Sequence, residues 1–304
     1  MGHENAGYRR LFSTDGITFG TGFPLTGANE SPPDVDEEMR LAARAEAVGF
    51  DALWARDVPT YWPKFGDAGQ TFDVWPWLTR VAARTDDIAL GTASVVLTLR
   101  HPLHVAKAAA SVDRLSDGRL VLGVATGDRD PEYPAFDVDP SDRGALFRES
   151  VAVLRSVWSD EFPVVDSQWG TLDGDLSVVP DPTTETLPLF PTGHARQTVE
   201  WIGDHGDGWL FYHLPEDTLD SYLADWRDAG GEKPFAMVVR AELADDHDAG
   251  PEPLHQGYCA GVEWFRDYFR RLDRTGVDHV LVSLENDDPE RALSVFAEEV
   301  IERV

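Results

Sequence analysis

The sequence is poor in two side chains that usually carry chemistry. Of its 304 residues one is cysteine, Cys259, and three are lysines, Lys64, Lys107 and Lys233. A lone thiol rules out an intrachain disulfide and argues against a cysteine-based zinc site. The shortage of lysine accompanies an excess of acid: 55 Asp and Glu stand against 26 Lys and Arg, a formal charge of −29. Nucleic-acid binding needs a basic face, so that class falls away. The acid is dispersed along the chain, not gathered in a tail, which points to a salt-rich milieu where a Debye length of about 3 Å at 1 M screens self-repulsion. No run approaches about 18 consecutive apolar residues, so no membrane span is expected. "MGHENAGYRR" lacks the apolar core of a secretory leader. The expected location is therefore the cytoplasm. Also missing are a G-x-S-x-G elbow, a P-loop, an H-E-x-x-H pair and the third glycine that would turn "FGTGFPLTG" into a dinucleotide fingerprint.

What is present is a rhythm. Apolar strand-like runs fall at 17–23, 52–54, 88–97, 120–125, 187–192, 208–212, 235–243 and 278–284, and helix-period segments lie between them. "DVDEEMRLAARAEAVG", for example, has acids in its first turn and Gly49 after its end. Eight strand–helix units over this length predict an α/β fold, a (β/α)8 TIM barrel spanning 1–304, with 1–15 as an N-terminal tail; a doubly wound open sheet is the alternative. Two stretches break the rhythm. Residues 159–186 carry turn signals and alternating pieces that predict a hairpin insertion between strands four and five. Residues 244–257 predict a long polar loop after strand seven.

Candidate site residues gather at the predicted C-terminal ends of strands, where a barrel builds its sites. The third strand, "IALGTASVVL", has a centre of Gly91, Thr92, Ala93 and Ser94 that leaves room a buried strand would normally fill. "LGVATGDRD" ends strand four in small residues followed by Asp128 and Arg129. "PTGHARQT" sets Gly193 and His194 before a helix start able to accept an anion, and His213 ends strand six in "LFYHLP". Asp245, Asp246, His247, Asp248 and His255 read as a solvated loop, and no metal is expected.

The block from "FDVWPWLTRVAART" through "LVLGVATGD", with "FGTGFPL", "AEAVGFDALWARD", "LPLFPTGHARQTVEWIGDHGDGW" and "RTGVDHVLVSL", resembles the bacterial luciferase-like flavin monooxygenase superfamily over most of the chain. "RDVP" after strand two and "GDR" after strand four resemble a luciferase-type oxidoreductase subgroup. The resemblance implies a barrel that binds reduced FMN, or in some branches the deazaflavin coenzyme F420, at its mouth. It also implies a cis peptide at Ala93–Ser94 supporting the ring, with Thr126, Gly127 and Arg129 toward the ribityl-phosphate arm. Gly193, His194, Ala195 and Thr198 would hold the phosphate. Asp57 and His213 are the implied catalytic candidates, and Phe23 and Tyr61 the substrate-side ones. Luciferase proper has a histidine where this chain has Val58, and an arginine where it has Thr126, which argues against light emission.

The leading expectation is a monooxygenase that uses reduced FMN and O2 on a small, apolar substrate, with a separate flavin reductase as partner and a homodimer as its assembly. F420-dependent hydride transfer and non-catalytic flavin binding are the alternatives. A barrel aldolase would require a Schiff-base lysine at a strand end, and all three lysines lie outside the predicted strands.

Overall fold

The computed structural model describes residues 3–27, 32–65 and 72–304. Among these the strands are β1 Thr18–Gly22, β2 Ala52–Ala55, β3 Ala89–Val96, β4 Leu120–Ala125, β5 Val164–Ser167, β6 Gly170–Asp173, β7 Leu189–Pro191, β8 Trp209–Phe211, β9 Phe235–Leu243, β10 Glu252–Leu254, β11 Gly257–Ala260 and β12 His279–Leu284. The helices are α1 Ala6–Phe12, α2 Val35–Ala47, α3 Val74–Ala82, α4 Pro102–Leu115, α5 Glu132–Ala135, α6 Arg143–Ser159, α7 Val199–His205, α8 Glu216–Gly230, α9 Val262–Thr275 and α10 Pro289–Glu299.

The fold is the expected (β/α)8 barrel. Parallel pairing runs β8–β9–β12–β1–β2–β3–β4–β7. The ring is joined between β7 and β8 by one bridge, Thr192 with Leu210, beside which the Gly193 N–H donates to Leu210 O at 2.8 Å. The helices start where caps allow. Asp34 accepts from the Asp36 and Glu37 amides at α2, Asp73 from Trp75 at α3, and Asp288 from Arg291 at α10. Helices cover the barrel strands outside and neighbours across the lumen cover them inside, so most of their residues are buried on both faces. No helix among the described residues is long and apolar enough to cross a membrane.

Three local expectations are corrected. Residues 1–15 are not merely a tail: α1 lies across the N-terminal end of the barrel, with Tyr8 and Leu11 buried in the same cluster as Trp54, Phe190 and Leu210. Gly7 is needed there because a Cβ would lie 2.3 Å from Arg119 O. The polar loop after strand seven contains the β10–β11 hairpin. The long β9 runs past β8 and exposes an edge at Arg240–Leu243, and β11 pairs with it in parallel. Helix α7 begins at Val199, later than the helix-period segment "RQTVEWIGDHG" that opens at Arg196, because Ala195 and Arg196 have φ of 46° and 58°, outside the right-handed helical region. The hairpin expected within 159–186 is β5–β6.

Candidate active site

Strand alternation decides which side chains enter the lumen. The inward rows contain Gly20 on β1, Trp54 on β2, Gly91 and Ala93 on β3, Val121 and Gly123 on β4, Leu210 on β8, and His279 and Leu281 on β12. The Trp54 indole fills the lower half. A Cβ on Gly91 would come within 2.2 Å of its ring, and one on Gly20 within 2.5 Å. Its Nε1 donates to His279 Nε2 at 3.0 Å, and His279 Nδ1 lies 2.8 Å from Thr18 Oγ1. The smallness of Gly91 therefore accommodates a side chain of the protein itself.

Above the indole the vacancy remains open. Ala93 and Ser94 are the two positions of β3 that are not buried, and the peptide between them is cis, as the resemblance implies. Pairing with β4 slips between Thr92 and Val95. The slip is built around Gly123, where a Cβ would lie 2.1 Å from Thr92 O and 3.1 Å from Ser94 Oγ. Thr92 Oγ1 donates to Gly123 O at 2.8 Å, and Ser94 reaches past the bare glycine to bond Thr192. The outcome is a partly open step at Ala93 and Ser94, beside the C-terminal ends of β4 and β7.

Two loops border this step. After β4, Gly127 sits at φ 84°, and the Tyr133 hydroxyl donates to Thr126 O at 3.1 Å and Gly127 O at 2.7 Å. Thr98 Oγ1 also donates to Thr126 O, at 2.6 Å. After β7, Gly193 has φ 56°, and its missing side chain admits the Tyr212 ring, 3.0 Å from where a Cβ would stand. Ala195 is buried. His194 is exposed and meets Trp209 and Phe211 edge-on, and Thr198 accepts from the Trp201 amide to cap α7. Thus Ala93, Ser94, Thr126, Gly127, Gly193 and Ala195 are brought to neighbouring strand ends.

Other anticipated residues have different surroundings. The Asp57 side chain is 1% exposed; it takes two hydrogen bonds from Arg100, at 2.7 and 2.9 Å, and a third from the Val96 amide at 3.1 Å. These bonds brace the turn after β3 and occupy both carboxylate oxygens. Arg129 is buried, donates to Thr60 O at 3.1 Å and lies 4.7 Å from the Phe65 ring centre. It therefore holds the aromatic loop after β2 to the loop after β4. His213 follows the inward position Tyr212, so it faces away from the lumen, against Tyr258 at 5.3 Å between ring centres. Its Nε2 is buried without a partner among the described residues, and burial lowers its pKa. Phe23 packs edge-on against Trp77 at the β1 end, and Tyr61 is 55% exposed on the rim.

Sequence reasoning passed over Thr192 and Tyr212, although two-residue alternation from Phe190 and Leu210 points to both. Burial, and secondarily the charge of Asp128, raise the pKa of the Tyr212 hydroxyl. The lysines offer no lumen amine: Lys107 donates to Val179 O at 2.6 Å and Lys233 to Gly206 O at 2.9 Å, both outside the barrel, while Lys64 is on the exposed loop after β2.

Comparisons with known proteins agree with this architecture. The F420-dependent glucose-6-phosphate dehydrogenase of Beutenbergia cavernae is 30% identical over 193 residues, 62% of this chain and 55% of that protein. The F420-dependent hydroxymycolic acid dehydrogenase of Mycobacterium tuberculosis is 30% identical over 215 residues, 68% of this chain and 58% of that protein. The match thus spans little more than half the length of these relatives. Among solved structures, an F420-dependent secondary alcohol dehydrogenase in complex with an F420-acetone adduct superposes with a TM-score of 0.78 at 19% identity, covering 95% of this chain and 99% of that one. The monooxygenase RslO1 from Streptomyces bottropensis gives 0.78 at 18% identity, covering 94% and 99%. The luciferase-like monooxygenase model matches residues 17–249, and the chain belongs to that family.

Proposed function

We propose that this oxidoreductase uses the deazaflavin coenzyme F420 for hydride transfer between an alcohol and its carbonyl form. The observation that carries the reading is the half-exposed Ala93–Ser94 pair in an otherwise buried strand, bordered by Gly123, Gly127 and Gly193. The small side chains of this partly open step suit a planar ring, the three glycines letting Thr92, Val96 and Tyr212 pack closely around it, and these residues fit a flavin-type cofactor. The relatives at about 30% identity support the deazaflavin over the FMN of the leading expectation. An FMN-bearing neighbour, the oxygenating constituent of 3,6-diketocamphane monooxygenase from Pseudomonas putida, is 15% identical and speaks to fold alone.

When bound, the coenzyme supplies the hydride acceptor; the protein supplies position, a dry wall and a hydrogen bond. Ala93 and Ser94 would support the ring, Thr126 and Gly127 its ribityl arm, and Gly193 and Ala195 the phosphate. Val58 stands where luciferase has its histidine, which leaves Tyr212 as the polar inward side chain of the strand-six end. Its phenol, protonated at neutral pH as a tyrosine ordinarily is, would donate a hydrogen bond to the substrate oxygen, and the alcohol's hydroxyl proton would leave to solvent as the hydride is transferred.

Fluorescence titration with F420 and with FMN, followed by an anaerobic panel of alcohols, tests the reading. Saturable F420 binding and alcohol-dependent bleaching of the deazaflavin without oxygen are expected. Oxygen consumption with reduced FMN and no binding of F420 would overturn it. Tyr212→Phe is expected to lower kcat by about 10- to 100-fold with coenzyme affinity unchanged.

A further inference from the structure

Three hydroxyls around the partly open step are committed to the protein. Thr92 donates to Gly123 O at 2.8 Å, Thr98 to Thr126 O at 2.6 Å, and Tyr133 to Gly127 O at 2.7 Å. Each spends its one hydrogen on a backbone carbonyl, which fixes the wall and leaves no donor for a ligand. Ser94 and Thr192 differ. They bond each other, and neither hydroxyl has a further partner among the described residues.

The barrel holds this pair from both sides. The Thr192 amide donates to Val124 O on β4 at 2.9 Å, and Thr192 itself makes the bridge to Leu210 on β8. The next amide, that of Gly193, donates to Leu210 O at 2.8 Å. Alternation from Phe190, which packs in the lumen cluster, turns the Thr192 side chain inward. Ser94 arrives from β3. The slip against β4 between Thr92 and Val95 brings its Oγ beside Gly123, within 3.1 Å of where a Cβ would stand, and Gly123 is itself an inward position. Both residues are half-buried, so the pair is reachable from the mouth.

Two hydroxyls carry two hydrogens, and the bond between them uses one. Whichever oxygen accepts keeps its own hydrogen free to donate outward. Thr192 is anchored at the seam of the barrel, while Ser94 lies on the step that would support the ring. A hydroxyl that accepts one hydrogen bond is also polarised into a better donor of the next.

We infer that Thr192 is a positioning residue for the coenzyme: its hydroxyl donates to Ser94 Oγ and so directs the Ser94 hydrogen at an acceptor on the polar edge of the deazaflavin ring. The assignment rests on the deazaflavin reading and adds to it a residue that acts through Ser94.

Fluorescence titration with two ligands tests it: F420, and the deazaflavin analogue of riboflavin, which keeps the ring and ribityl chain but has no phosphate or tail. Thr192→Val is expected to weaken both by about fivefold, because the lost bond serves the ring they share. Thr192→Ser keeps the hydroxyl and should restore affinity to within about twofold of wild type. Ser94→Ala should lose at least as much as Thr192→Val, and the double variant no more than Ser94→Ala alone, since both changes remove one interaction. Denaturation midpoints establish that folded protein is titrated. Loss confined to F420 would move the effect to the phosphate side of Gly193 and overturn the assignment. A Thr192→Ser protein as weak as Thr192→Val, or losses that add in the double variant, would overturn it too. Wild-type protein that binds neither ligand would overturn the coenzyme reading, and this assignment with it.

Discussion

At the residue scale, the third strand shows that one small-residue run can have two causes. Gly91 is small because Trp54 occupies its space; Ala93 and Ser94 are small where the lumen opens. Gly123 separates the two roles. Gly123→Ala would set a methyl 2.1 Å from Thr92 O, so the strand must shift. We expect a stability loss of about 1–3 kcal/mol, seen as a lower denaturation midpoint, together with lost F420 binding; intact binding would show that the β3–β4 irregularity is not the ring support. Asp57 makes the opposite case, a polar residue beside the site whose bonds are all internal. Asp57→Asn should cost about 2–3 kcal/mol by weakening the Arg100 pair, and coenzyme affinity measured well below the melting range should hold. A large drop in kcat with unchanged stability would reinstate it as a catalytic group. The motif made Asp57 visible in the sequence, but nothing local could reveal that Arg100, 43 residues away, occupies it.

At the scale of elements, the mouth is organised by a clasp between loops. The buried Glu132 carboxylate accepts from the Thr60 amide at 3.2 Å and hydroxyl at 2.8 Å, and Arg129 reaches the Thr60 carbonyl. Together they hold the segment carrying Tyr61, Trp62 and Phe65. Glu132→Ala should release that segment: faster amide hydrogen exchange across 60–65, by about 10-fold or more for 1.4 kcal/mol of local stability, and a higher KM with little change in global unfolding. Unaltered exchange would show that Glu132 does not hold this segment. The periodicity located the eight barrel strands and the main helices well, because burial on a regular lattice leaves its mark every two or every 3.6 residues. It missed α1 and β10–β11, both short, whose places depend on surfaces offered by distant segments: the open barrel end for α1, the unpaired β9 edge for β11.

At the scale of the whole molecule, closing the ring buries groups that the chain would otherwise leave in water. His279 is completely enclosed between Trp54 and Thr18, and burial lowers its pKa from 6.5 to about 3. The unfolded chain binds a proton there below pH 6.5 that the folded chain refuses. Its contribution to stability is therefore complete above pH 6.5 and lost as pH falls toward about 3, at about 1.4 kcal/mol per pH unit. Chemical denaturation across that range should show a steeper acid loss for wild-type protein than for His279→Gln; parallel curves would contradict the assignment. The amino-acid sequence by itself determined the repeating units, the acidic balance, and the small residues at the ends of strands three, four and five, since each is a matter of local pattern or composition. Only the tertiary structure decided which vacancies are filled from within, and that Tyr212 and not His213 looks into the barrel. Those facts depend on contacts across the closed ring, where strand alternation and distance in space, not order in the chain, choose a side chain's neighbours.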